Sequence, residues 1–317
     1  MQLEWQRATR IKGGVTFWQE LRSKQSRIFF AFITPWIIGF LVFTAWPMLG
    51  SLYYSMTSYK VTLSPEWVGL NNYRYLLTKD LNFKLALTNS AVFTVLSVPL
   101  GITSSLLLAT LLNQKQGIHG MTFWRALFYV PTILPAVASS YMFQWIFSYR
   151  YGPISSIFRF LGQAPPNFFT TDLAQWIIVL FSLWHFGPGM IIFLAGLQGI
   201  PQVLYEAASI DGANRFQTFR HITLPGISPV IFFQFTNGLI GSMQMFQVAW
   251  FMTSLPLQRS IFLGTLVYGN AFGGTGVGTA GGMGYASAVA WVIFAIVMVI
   301  TLLNFLGARH WVHYEQI

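Results

Sequence analysis

The side chains able to do chemistry in this chain are few and almost all neutral. Five histidines, at positions 119, 185, 221, 310 and 313, miss the H-E-x-x-H spacing that places two imidazoles on one face of a helix around zinc. There is no cysteine, so thiolate nucleophiles, thiolate metal sites and disulfides drop out together. No G-x-x-x-x-G-K-[ST] cradle occurs and no glycine is followed by lysine, so the chain carries no triphosphate-binding loop of that kind. What remains is of two kinds. One is a polar island, EAASIDGANRFQTFRHITLP at 206–225, holding Glu206, Asp211, Arg215, Arg220 and His221. The other is a set of amides, Gln234, Asn237, Gln244 and Gln247, in an otherwise apolar run. At 100° per residue the first three amides lie within about 80° of one another on a helix.

The elements that must position these groups are membrane spans. The chain is 54% hydrophobic and 8% charged, against about a quarter charged in a soluble protein, and its mean hydropathy is +0.56. Such a composition implies a polytopic, all-α membrane protein. A net charge of +10 could suggest nucleic acid, but the 18 Lys and Arg are spread over short loops, with six before the first apolar run. Retention of those loops on one membrane face explains them better, and no nucleic-acid partner is expected. No small-residue cleavage site follows the first apolar run, so no signal peptide is expected.

Apolar runs define six spans, at 28–54, 88–112, 125–147, 173–199, 227–252 and 284–306. A basic segment at 1–27 and a short tail at 307–317 flank them, and the positive-inside rule puts both in the cytoplasm. Phe17, Trp18 and Leu21 could form an interfacial helix there or be simple flanking residues. Pro131 and Pro135, four residues apart, predict a kink in the third span. The fourth span carries Trp184, His185, Gly187, Pro188 and Gly189 near its middle or inner half. Within 206–225 a short helix should stop at Asp211-Gly212, with Ala207 and Ala208 leaving one face open to close approach, and Leu224-Pro225 should end the segment. Six spans with both ends inside put the island, which follows the fourth of them, on the cytoplasmic face. The charged residues sit only at span ends, which removes the usual signature of proton coupling or voltage sensing.

Glu206-Ala207-Ala208, three residues, Gly212, nine residues, then Ile222-x-Leu224-Pro225 resembles the EAA loop of the membrane subunits of binding-protein-dependent ABC importers. Phrases such as PWIIGFLVFTAWPM, FLAGLQGIP and MGYASAVA, over about 27–315, are similar to the larger permease subunits of carbohydrate importers, relatives of the maltose and glycerol-3-phosphate systems. The resemblance implies a type I ABC importer permease fold of six transmembrane helices in a bacterial or archaeal cytoplasmic membrane. It implies a second permease subunit, two ATPase subunits and an extracytoplasmic solute-binding protein, with lipid around the spans. ATP and magnesium would bind the ATPases, leaving this chain without a cofactor, a metal or a catalytic residue. The loop at 201–225 would be a coupling helix seated on an ATPase, with Glu206, Ala207, Ala208, Asp211, Gly212, Ile222, Leu224 and Pro225 as its coupling residues. Local alignment to the maltose permease carries substrate contacts onto Thr132, Ala136, Trp184, Phe186, Gly189, Gly238, Gly241, Ser242 and Met245. The amide face adds Gln244 to this path. Only Trp184 and Ser242 keep clearly similar chemistry. The chain also departs from the family at Ser254-Leu255-Pro256, where relatives often carry a Gly-Gly-Pro turn.

Read on their own, the amides serve equally as glue between helices or as hydrogen-bonding partners for a polyhydroxylated solute. Two rival functions stay open at this level. A stand-alone carrier or channel for a neutral solute would share the composition, and a membrane-embedded enzyme would need an acid, base, metal or nucleophile set that the sequence does not assemble.

Overall fold

A computed structural model describes residues 24–60, 63–113, 120–169, 173–252, 261–273 and 282–313. The segment around Phe17, Trp18 and Leu21, the Ser254-Leu255-Pro256 departure and most of the glycine-rich stretch at 273–284 lie outside them. Two units are distinguished, residues 1–53 and 54–317. The first contains α1 (Lys24–Phe40), a π-turn at Leu41–Ala45, and the start of α2 (Trp46–Ser55). The π-turn has a local cause. Pro47 lacks an N–H and its ring would collide with the carbonyl one turn back; widening that turn, so that Trp46 N–H reaches Leu41 O, relieves both problems.

The second unit is helical, with two isolated β-bridges, Thr57 to Trp67 and Lys60 to Leu63, as the extended pairings among the described residues. Its helices are α3 (Asn71–Thr78), α4 (Leu81–Leu112), α5 (Met121–Ile133), α6 (Ala136–Ile146), α7 (Pro153–Phe160), α8 (Leu173–Trp184), α9 (Gly187–Gly199), α10 (Gln202–Ile210), α11 (Arg215–Thr218), α12 (Leu224–Gly226), α13 (Ser228–Met243), α14 (Gln247–Met252), α15 (Leu263–Phe272) and α16 (Gly282–Ala308).

Helix α4 is the mast. Its 32 residues span about 48 Å at 1.5 Å per residue, well beyond about 30 Å of hydrocarbon. All three apolar clusters of the unit seat on it. Phe83 and Ala86 meet Leu263, Leu266, Tyr285 and Val289; Phe93 meets Phe143, Ile178, Phe181 and Phe262; Leu106, Ala109 and Leu112 meet Met190, Phe193, Leu197 and Ile227. Helices α8, α9, α13 and α15 pack against it. The second span therefore starts at Leu81 and not at residue 88, because Asp80 caps it. Asp80 Oδ1 accepts from the backbone N–H of Asn82 (2.8 Å) and Phe83 (3.2 Å), filling two donors that a helix start leaves open. Its Oδ2 accepts from the Tyr285 hydroxyl, which ties the start of α4 to the start of α16. Nearby, Gly284 N–H donates to Tyr59 O at 3.0 Å, and a Cβ on Gly284 would lie 2.2 Å from Thr57 O, so no larger residue fits that approach.

Three spans are interrupted. Helices α5 and α6 meet at 94°, a sharper break than a kink, because Leu134 is extended (ψ 132°) as residues before proline prefer, and Pro135 then starts α6. Helices α8 and α9 meet at 44°, at His185-Phe186, where Gly187 and Pro188 restart the helix. The fifth span, expected to be continuous over 227–252, ends at Met243 and resumes at Gln247. Tertiary packing accounts for that break: the Met245 carbonyl lies 2.6 Å from where a Cβ on Gly264 would stand, so α15 seats directly on the unwound turn. Past α16 the chain folds onto the start of α13, with His313 N–H donating to Ser228 Oγ (2.9 Å) and Trp311 edge-on to Phe232.

Candidate functional site

The polar island is a helix–turn–helix. Helix α10 carries Glu206, Ala207 and Ala208 and stops at Asp211-Gly212, as its sequence suggests. Gly212 stands at φ +76°, in the left-handed region glycine adopts freely. The N–H of Ala213 returns to Ala208 O (2.9 Å) and that of Gly212 to Ser209 O (3.3 Å), satisfying the last carbonyls of α10 in a Schellman arrangement. Asn214 then opens α11 with a reciprocal capping box to Gln217. Leu224-Pro225 does not end the segment. A π-turn at Phe219–Thr223, with Leu224 N–H bonded to Phe219 O, absorbs Pro225 as the earlier one absorbs Pro47, and the helix runs on through α12 toward α13. The hydroxyls of Tyr205 and Thr223 meet at 3.1 Å and tie the two arms together.

The expected coupling residues divide by exposure. Glu206, Ala207, Asp211, Gly212 and Leu224 are exposed, Ile222 and Pro225 half-buried, and Ala208 buried within the chain. Ala207 and Ala208 thus do not share an open face; 100° of helix rotation turns Ala208 inward. Glu206 Oε1 accepts from Gln202 Nε2 at 2.9 Å. The exposed apolar side chains beside it are Val203, Leu204, Ile210 and Phe216, a patch larger than a polar turn needs for its own folding.

A second candidate site is a cleft of about 440 Å³ where the break between α8 and α9 faces α4 and α13. Ligand sites commonly have roughly 300–1,000 Å³. Ser97, Ser105, Ser182, His185, Gln234 and Asn237 supply polar groups, and Phe186, Gly189, Gly238, Gly241, Ser242 and Met245 complete most of the wall. Among the described residues, no carboxylate, lysine or arginine lines it. Close helix approach makes the space: a Cβ on Gly189 would stand 2.8 Å from Ser105 Oγ and 3.0 Å from Gln234 Nε2, whereas one on Gly241 would meet nothing within 4 Å. Ser105 Oγ donates to the Phe186 carbonyl (3.2 Å), which also accepts from the Met190 N–H (3.0 Å) at the start of α9. Thr94 of α4 donates to Ser242 Oγ at 2.9 Å, a buried contact that ties α4 to α13.

The structure brings together Phe186, Gly189, Gly238, Gly241, Ser242 and Met245 from the expected path and leaves out four residues. Trp184 lies against a separate apolar pocket of about 370 Å³, lined by Phe143, Ile146, Phe147, Leu180, Leu183 and Phe186. It packs on Phe143 at 5.3 Å. Two residues after Trp184, Phe186 borders both spaces. Thr132 turns its hydroxyl back to Tyr129 O (2.7 Å) and its methyl toward Gly187, at the crossing of α5 and α9. Ala136 opens α6 and does not line the cleft. Gln244 falls past the end of α13, so the 100° step that would align it with Gln234 and Asn237 no longer applies, and it is exposed.

Sequence reasoning missed Ser97, Ser105 and Ser182, which read as ordinary small residues in apolar runs. It also missed His185, whose signal was its position beside a Gly-Pro-Gly helix restart. Asp80 escaped too, although an Asp just before an apolar run is a cap signal. Among the described residues no group of three or more His, Asp or Glu could hold a metal ion.

Residues 101–310 match the family described as binding-protein-dependent transport system inner membrane component. The chain is 39% identical over 293 residues to the probable ABC transporter permease protein YesP of Bacillus subtilis (strain 168), covering 90% of this chain and 92% of the relative. It is 31% identical over 300 residues to the arabinooligosaccharides transport system permease protein AraP of the same organism, covering 90% of each. The trehalose/maltose transport system permease protein MalF of Thermococcus litoralis is 33% identical over 239 residues, 74% of this chain and 79% of that one. In fold, the chain matches a solved bacterial ABC transporter involved in alginate import, with a TM-score of 0.78 at 24% identity over 92% of this chain and 98% of that one.

Proposed function

Because the chain belongs to the family of binding-protein-dependent transport system inner membrane components, we propose that it carries a sugar or oligosaccharide through the cleft between α4, α9 and α13 by alternating access. It is a multi-pass permease of the type I ABC importer fold, and the proposal concerns what passes, by which route and with which partners.

The single observation that carries the route is a cleft walled by neutral hydrogen-bonding groups at the point where the fourth and fifth spans are broken. Broken helices within a membrane are tolerated where the freed backbone groups line a cavity or meet neighbouring protein. Arabinooligosaccharides and trehalose/maltose are named for the relatives AraP and MalF, and neutral amides and hydroxyls suit solutes of that class.

Energy comes from elsewhere in the assembly. Two ATPase subunits bind ATP and magnesium, and one of them receives the turn at 201–225. Val203, Leu204, Ile210 and Phe216 supply its apolar contact and Glu206 its charge. A second permease subunit completes the conduit, and a solute-binding protein delivers cargo from outside. Both termini lie in the cytoplasm, on the same side as this turn. The chain is not itself an enzyme.

The route is tested with Gly241→Cys. This chain has no other cysteine, and a Cβ at 241 enters open space. In proteoliposomes holding the full complex with cysteine-free partners, a bulky thiol reagent should arrest ATP-driven uptake of a labelled trisaccharide by the variant and leave the cysteine-free complex untouched. Uptake that persists after complete labelling removes the cleft from the route. Vesicles holding this chain alone should pass no sugar; passage there would establish a stand-alone carrier.

A further inference from the structure

The helix break at the cleft does more than open a space; it fixes which hydrogen-bonding groups the space presents. His185 Nδ1 lies 3.1 Å from the carbonyl oxygen of Phe181, one turn back on α8. A carbonyl oxygen only accepts, so Nδ1 holds the hydrogen and, in the neutral ring, Nε2 keeps a free lone pair. The ring cannot easily turn away. It lies on Phe181 with centroids 4.5 Å apart, and Trp184 stands edge-on to it at 5.0 Å and 89°.

The surrounding hydroxyls are committed in the same sense. Ser105 donates to Phe186 O at 3.2 Å, Ser182 to Val179 O at 2.7 Å and Ser242 to Leu239 O at 3.1 Å. Asn237 spends one amide hydrogen on Phe233 O at 2.9 Å. With these hydrogens committed to backbone carbonyls, the hydroxyls turn lone pairs to the cleft, while Gln234 and the second amide hydrogen of Asn237 can still donate. The accepting groups complement a solute that donates, which is what the hydroxyls of a polyol do and what a carboxylate or ether oxygen cannot do.

We infer that His185 is a specificity-determining residue whose Nε2 accepts a hydrogen from a hydroxyl of the passing solute. The inference rests on the cleft being the transport route. Its ligand class is a polyhydroxylated, hydroxyl-donating solute, and its signature is that the two ring nitrogens have separate jobs: Nδ1 holds the ring to Phe181, and Nε2 reads the cargo.

Two amides separate those jobs. In His185→Asn the side-chain amide reaches the place of Nδ1 and leaves nothing at Nε2; in His185→Gln it reaches the place of Nε2. Uptake is measured in proteoliposomes of the whole complex with radiolabelled arabinotriose, maltotriose and galactotriose, after checking assembly by size exclusion. Using the probe that the wild-type complex accumulates fastest, His185→Asn should raise the KM roughly 3- to 10-fold, the loss of about one net hydrogen bond, while His185→Gln stays within about 2-fold of wild type. The reverse order would mean that His185 serves only Phe181 and would overturn the inference, as would equal effects in both variants or none in either. Should a variant fail to assemble, the imidazole 15N signals of the wild-type complex decide. An unprotonated Nε2 whose signal moves on adding the trisaccharide supports the assignment, and a protonated Nε2 or an unmoved signal refutes it. Accumulation of none of the three sugars by wild type would remove the carbohydrate reading and this inference together. If thiol-labelled Gly241→Cys stops transport but the histidine variants follow the wrong order, the route stands and only the role of His185 falls.

Discussion

The hydroxyls of Tyr205 and Thr223 meet at 3.1 Å, joining α10 to the π-turn that leads into α13. This contact links the exposed turn to the chain that leads into the fifth span, which walls the cleft. Tyr205→Phe deletes it and keeps the ring. We expect a small stability loss, about 0.5–1.5 kcal/mol, and a larger loss of coupling: more ATP hydrolysed per sugar imported by the reconstituted complex. An unchanged ratio of hydrolysis to uptake would show that the contact transmits nothing.

Gly212 ends α10 at φ +76°. Gly212→Ala forces an L side chain into the left-handed region at about 1–2 kcal/mol. Because that strain bears on an exposed turn, the spans should stay folded while the ATPase dissociates more readily, read as reduced ATPase co-purification at constant permease yield.

Glu206→Ala removes an exposed carboxylate whose internal partner is Gln202. The permease should keep its thermal stability within about 0.5 kcal/mol, as surface changes usually do, and lose substrate-stimulated ATP hydrolysis. Wild-type stimulation would exclude Glu206 from docking.

Asp80 has two functions at one carboxylate, capping α4 and accepting from Tyr285. Asp80→Asn retains a good cap, whereas Asp80→Ala loses the cap, at about 0.5–2 kcal/mol, and strands the Tyr285 hydroxyl as well. Melting of the detergent-solubilised complex should therefore rank wild type above Asn above Ala. Ala equal to Asn would mean that the cap contributes little.

Trp184→Ala empties part of an apolar pocket and removes the ring edge that stands against His185. Its effect should appear as about 3–5 kcal/mol of lost packing, hence fewer assembled complexes, with the KM of the survivors raised no further than in His185→Asn. A KM raised beyond that at normal assembly would return Trp184 itself to the sugar path.

Much of this architecture can be read from the chain, and the failures have physical reasons. Pro131 and Pro135 announce the break between α5 and α6 because proline acts on its own helix, although the 94° angle depends on Leu134 being driven extended. The stop at Asp211-Gly212 is local chemistry and reads directly. The end of α13 at Met243 has no breaker behind it; the Met245 carbonyl is drawn out by Gly264, which lies on another helix, and that pairing misplaces Gln244. Trp184 keeps to the apolar pocket while Phe186, two residues on and past the end of α8, borders both spaces, and a local alignment cannot resolve this where the helix breaks at His185. Ala208 turns inward for the same rotational reason. Serines at 97, 105 and 182 carry no pattern of their own and acquire meaning only when three helices converge.

The central claim, that this cleft opens alternately to the two membrane faces under the drive of ATP, is tested most directly by the sidedness of Gly241→Cys. In proteoliposomes of the complete complex, a membrane-impermeant thiol reagent is applied from one face or the other, first without nucleotide and then with the ATPases trapped by ATP and vanadate. The reactive face should switch between the two states. Labelling from the same face in both would contradict the account.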